Sequence, residues 1–276
     1  MGIVLHALAG LGYAGLSVLA WRSLQGHAPG LARATWPLLI VVALHGMAVL
    51  EGLFGTHGMR LGFALVLSGA VWLGLLVYCT ESLLMRIDGL RVLLLPLAAI
   101  VSLLAAGFPS SRSFLHPETG WLYVHLGIAL AAYSLITIAA LHALMMAVAD
   151  RHLHAPLAGG TSAASLRRRL LDALPPLLQL ERLLFRLLWT GFVLLTLTIV
   201  SGAVFRDQMG LAPMALDHKT VFTVLSWLTF GGLLLGRTLR GWRGRTALRF
   251  TLVGFVLLLL AYAGSSFVLE ILLGRA

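Results

Sequence analysis

The chain has 276 residues, of which 59% are hydrophobic and only 11% charged, with a formal net charge of +10 and a single cysteine. A soluble domain of this length carries roughly 25% charged residues, so the composition excludes an ordinary soluble enzyme and points to a polytopic helical membrane protein. The basic residues fall between apolar runs, where they read as membrane topology rather than as a nucleic-acid surface. Cys79 has no second cysteine to pair with, so there is no internal disulfide and no CxxC motif.

The first apolar run covers about 3–21 and has no basic residue before it, which predicts a retained helix with its N-terminus outside. Further runs follow at about 36–54, 62–84, 91–108, 121–148, 186–206, 219–236 and 247–272. This is an all-α fold of eight transmembrane helices. No ten-residue strand alternation suggests a barrel. Fifteen of the 20 Lys and Arg lie in the first, third, fifth and seventh loops, from Arg22 and Arg33 to the cluster Arg237–Arg249. That end is predicted to face the cytoplasm, and both termini the outside, as expected for a multi-pass protein of a bacterial inner membrane.

The one long loop, about 149–185, starts with the small-residue stretch APLAGGTSAAS. It continues as LRRRLLDALPPLLQLERLLFRLL, which reads as an amphipathic segment on the inner surface, broken at Pro175-Pro176. A partner-binding helix is the alternative reading of the same stretch.

Ionisable residues at membrane depth are costly and are where function is sought first. His125 lies one turn into the fifth helix and His218 opens the seventh, both near the outer interface. Two neutral imidazoles facing each other across a bundle can supply both axial ligands of a haem iron. Equally, each can be a polar residue at a helix start, like Trp121 and Tyr123 in the aromatic belt. His45 and His142 lie deeper, where an interhelical hydrogen bond is the simpler role. Glu81 is expected near the inner surface, within reach of Arg86, and Glu51 and Glu270 near the outer one. There is no Walker A, GxSxG or HExxH motif, so no enzyme activity is expected.

Four stretches resemble the cytochrome c assembly family, which includes CcsA-, CcmC- and HemX-like proteins. They are WLYVHLGIALAAYSLITIAALHALM, LPPLLQLERLLFRLLWTGFVLLTLTIVSGAVF, DHKTVFTVLSWLTFGGLLLGR and GWRGRTALRFTLVGFVLLLLAY, together spanning about 121–264. The likeness is greatest to the YpjD and HemX-like branch. It implies haem handling at the outer face in cytochrome c maturation, with haem b as cofactor and membrane lipid and cytochrome c assembly or haem-synthesis proteins as partners. His125 and His218 would ligate the iron, Trp121 would shape the rim, and Lys219 would pair with a propionate. His45 would match an intramembrane ligand, and His142 could belong to a second, deeper site. The chain departs from the family pattern at three places. The tryptophan-rich WGxxWxWD signature is replaced by RDQMGLAPMALDHKT, the late external histidine is missing from SSFVLEILLGRA, and Gly236 stands where an intramembrane histidine is expected. The resemblance also leaves open a regulatory or scaffold role through the arginine loops, without haem.

Overall fold

The computed structural model describes residues 1–25, 35–53, 59–60, 62–84, 88–108, 113–114, 120–153, 176–208 and 217–261. Among them are eight helices: α1 (Gly2–Leu24), α2 (Trp36–Leu53), α3 (Phe63–Leu84), α4 (Asp88–Gly107), α5 (Trp121–Leu153), α6 (Leu177–Gln208), α7 (His218–Arg240) and α8 (Arg245–Leu259). The first seven are long and apolar enough to cross a membrane. The described part of α8 is 15 residues long. Two short strands, β1 (Met59–Arg60) and β2 (Ser113–Phe114), pair antiparallel with Met59 opposite Phe114. They tie the α2–α3 connection to the α4–α5 connection, so both connections lie at one end of the bundle.

The helices form two sets of four. In the first, α1 packs on α4 and α2, α2 on α3, and α3 on α4. In the second, α5 packs on α6 and α8, and α7 on α8 and α6. The α3–α5 interface joins the sets. Lipid gives apolar faces no reason to associate, so close packing and interhelical hydrogen bonds must hold such a bundle, each bond contributing about 0.6–2 kcal/mol. Small buried residues of α5, Ala132, Ala140 and Ala143, supply the close packing. The bonds include Ser134 Oγ to Ala70 O (2.7 Å), Tyr133 Oη to Leu258 O (3.0 Å), Trp227 Nε1 to Thr196 Oγ1 (2.9 Å) and Ser226 Oγ to Gly254 O (2.8 Å).

The arginine-rich end is closed by ion pairs between helices. Arg186 of α6 pairs with Glu81 of α3, Arg237 of α7 with Glu181 of α6, and Arg245 of α8 with Asp150 of α5 at 2.8 Å. Arg237 also lies over the Phe185 ring, 3.8 Å from its centroid. These pairs hold the arginine ends of α3, α5, α6, α7 and α8 at one level, as the charge alternation requires.

One expectation needs correction, and another falls partly outside the described residues. Glu81 pairs with Arg186, and Arg86 lies outside the described residues. The sixth helix begins at Leu177, not near 186. The stretch after Pro175-Pro176 is therefore the arginine-rich end of α6 rather than a separate surface helix. Its charges gave it a surface look, but Glu181 and Arg186 are neutralised sideways by neighbouring helices. Proline suits the position just before a helix, where its missing N–H has no partner to lose. Residues 154–175, including Arg167–Arg169, lie outside the described residues.

Candidate functional site

His125 is half-buried at the start of α5, and its Nδ1 lies 2.9 Å from Ser201 Oγ on α6. The Ser201 hydroxyl donates its one hydrogen to Thr198 O at 3.2 Å. Ser201 Oγ is then the acceptor, and His125 Nδ1–H the donor. That places the ring proton on Nδ1 and leaves the Nε2 lone pair for a ligand. A metal-binding imidazole is commonly oriented in this way, by a hydrogen bond from its other nitrogen. Gly202 makes room for the contact: a β-carbon there would stand 3.2 Å from His125 Cε1. Trp121 and Tyr123, each 40% exposed, lie at the same end. The sequence reading found His125 but not Ser201, which lies 76 positions away and carries no motif.

His218 opens α7 and is exposed, as are Asp217 and Lys219. α6 and α8 each pack on both α5 and α7, so α5 and α7 stand diagonally across the second four-helix set. The structure thus places His125 and His218 at one end of the bundle, on diagonal helices, with the first half-buried and the second exposed. Asp217 caps α7 by accepting the Thr220 N–H at 2.8 Å. Partial burial raises its carboxyl pKa, but the Thr220 hydrogen bonds and the charges of Arg206 and Lys219 outweigh that and hold it below the usual range. The cap is therefore lost only as pH falls through that depressed value. Asp217→Ala should destabilise α7 by about 1 kcal/mol, measured as a lower Tm in detergent, and Asp217→Asn should restore most of the loss.

His45 is fully buried and its ring is saturated. Tyr13 Oη of α1 lies 3.2 Å from Nδ1, and Ser68 Oγ of α3 and Ser102 Oγ of α4 lie 2.8 and 3.3 Å from Nε2. His6 of α1, which the sequence reading did not single out, meets the His45 ring edge-on at 5.9 Å. Both nitrogens of His142 are buried and have no hydrogen-bond partner. The interhelical hydrogen bond expected of His45 is present, and that expected of His142 is not. Neither ring is brought to His125 by any hydrogen bond or ring contact described here.

Gly236 sits against Trp242. A β-carbon at 236 would stand 2.3 Å from Trp242 Cε3 and 2.5 Å from Cδ2. The space that an intramembrane histidine would need is filled by that indole, which also packs on Phe250 at 5.1 Å. Among the described residues no group of three or more His, Cys, Asp or Glu could hold a bare metal ion.

The model of the family described as "Cytochrome C assembly protein" matches residues 38–273. "Inner membrane protein YpjD" of Escherichia coli strain K12 is 32% identical over 201 residues, 71% of this chain and 72% of that protein. "Cytochrome c biogenesis protein CcsA" of Thermosynechococcus vestitus is 26% identical over 279 residues, covering 85% of this chain and 87% of the relative. A protein of Azospirillum brasilense named only by its 28.8 kDa size and gene neighbourhood is 34% identical over 155 residues, 56% of this chain and 54% of its own length. No solved structure matches. With eight helices, a family model over most of its length and relatives on both the YpjD and CcsA sides, the chain belongs to the cytochrome c assembly protein family.

Proposed function

We propose that this protein binds b-type haem at the bundle end where α5 and α7 begin and handles it for cytochrome c maturation. The observation that carries the reading is the His125–Ser201–Thr198 arrangement, which presents an unprotonated Nε2 at a half-buried position. His218, exposed at the same end, would supply the second histidine. Lys219 beside it offers a cation to a propionate, and Trp121 borders the site. Bis-histidine ligation leaves the iron no open position, which suits a carrier and not an oxidase. The end bearing these residues faces outward from an inner membrane, with the start of α1 on that side and the arginine end in the cytoplasm.

Ser201→Ala tests the arrangement without touching a ligand. Loss of an orienting partner costs roughly 10–100-fold in affinity, so haemin titration of the purified variant should show a shift of that order. Ser201→Thr should recover it. An unchanged affinity in Ser201→Ala would count against His125 as the ligand. The regulatory reading, in which the arginine loops dock a cytoplasmic haem-synthesis protein, has less support. Arg186, Arg237, Arg243 and Arg245 already pair with Glu81, Glu181 and Asp150 of this chain, although only Arg237 is largely shielded by the bundle.

A further inference from the structure

The first four-helix set contains none of the proposed haem ligands, yet it buries His6, His45, Ser68, Arg91 and Ser102. At one end the Met1 ammonium lies 3.6 Å from Glu51 of α2. Glu51 in turn lies within electrostatic reach of His6. His6 is 3% exposed, and its Nδ1–H donates to Gly2 O at 3.0 Å. Its Nε2 is therefore a proton acceptor, and it is buried with no partner. Next comes His45, edge-on to His6, bonded to Tyr13 at Nδ1 and to Ser68 and Ser102 at Nε2. His6 and Tyr13 lie seven residues apart on α1, so they share a face and are separated by about 10 Å along the axis. Cys79 of α3 lies within electrostatic reach of Tyr13, and Arg91 of α4 within electrostatic reach of Cys79. Arg91 Nε donates to Tyr78 Oη at 2.8 Å at the arginine-rich end, and both residues are buried.

Each of these groups costs free energy to hold in an apolar bundle, and together they run from one end of it to the other. Stepped titratable groups of this kind mark ion and proton paths. We propose that α1–α4 conduct protons across the membrane, through His6, His45 and Tyr13 and out past Cys79, Tyr78 and Arg91. The transfer balances without redox chemistry. A proton passed from Ser68 Oγ to His45 Nε2 is matched by release of the Nδ1 proton to Tyr13 Oη, whose own hydrogen passes to water. Rotation of the hydroxyls and return of the ring to its first tautomer reset the relay. Neither the step from His6 to His45, which meet only edge-on, nor that from Tyr13 to the Tyr78–Arg91 pair is closed by a direct hydrogen bond, and both require water. The groups facing His45 are His6 and Tyr13 from α1, Ser68 from α3 and Ser102 from α4. This inference does not rest on the haem reading.

The test is proton entry into vesicles carrying the full chain, driven by a valinomycin potassium potential and read by trapped pyranine. The wild-type protein should raise the rate clearly above that of protein-free vesicles. Tyr13→Phe, which keeps the ring and removes only the hydroxyl, should return it to the protein-free rate, as should His45→Gln. Wild-type vesicles no faster than protein-free ones would overturn the proposal. So would Tyr13→Phe and His45→Gln variants that conduct like the wild type.

Discussion

His125→Ala protein, purified beside the parent from haem-replete cells, should come out colourless. Of the two proposed ligands, His125 is the one whose ring is oriented by a hydrogen bond, with Nδ1–H toward Ser201 and Nε2 left to donate its lone pair. Removing it would take away the proposed iron ligand and also empty the half-buried place beside Gly202. Haem content should fall by more than the roughly 10–100-fold expected for losing an orienting partner alone. His218→Ala should behave differently, because an exposed residue at a helix start contributes a ligand but little of the pocket. That variant should retain haem weakly and lose the bis-histidine spectrum. His142 lies 17 residues after His125 on the same helix, about 25 Å further along. His142→Ala should leave the spectrum unchanged. Retention of a normal spectrum by His125→Ala, or its loss in His142→Ala, would move the haem away from the proposed end.

Gly236→His should destabilise the protein and should not create a haem ligand. Any β-carbon at 236 falls 2.3–2.7 Å from three atoms of the Trp242 ring, well inside contact distance. The indole must leave, and with it goes the packing on Phe250. Overpacking costs about 1–3 kcal/mol, and loss of an aromatic pair about 0.5–1.5 kcal/mol, so a total near 3 kcal/mol is expected. Thermal unfolding in detergent measures it. Gly236→His combined with Trp242→Ala should be less destabilised than the separate effects sum to, because the two changes relieve one clash. A Tm equal to the parent's in Gly236→His alone would show that the Trp242 contact is not a constraint. The chain thus fills with tryptophan a space that the family pattern gives to histidine.

Much of this architecture was legible in the residues. Eight apolar runs and the lopsided arginines led to eight helices, and the Arg–Glu and Arg–Asp pairs now sit together at the predicted arginine end. The start of α6 was misread because hydropathy is local. Glu181 and Arg186 look like surface charges until Arg237 and Glu81 arrive from other helices to neutralise them. His125 could be singled out from its place at a helix start, whereas Ser201 could not, since a serine in an apolar run has no signature until the helices pack. His6 carried a faint signal, seven residues before Tyr13 on one face of α1, which the hydrophobicity of the run concealed. The diagonal placement of α5 and α7 follows from which helices share interfaces, and no residue spacing encodes that.

The central claim is that haem occupies the end of the bundle marked by His125. The most direct measurement is an absorbance spectrum, oxidised and dithionite-reduced, of the wild-type protein purified in mild detergent from haem-replete cells. A sharp reduced α band with haem at about one per chain is the predicted result, as bis-histidine ligation requires. A colourless protein that also fails to take up added haemin would contradict it.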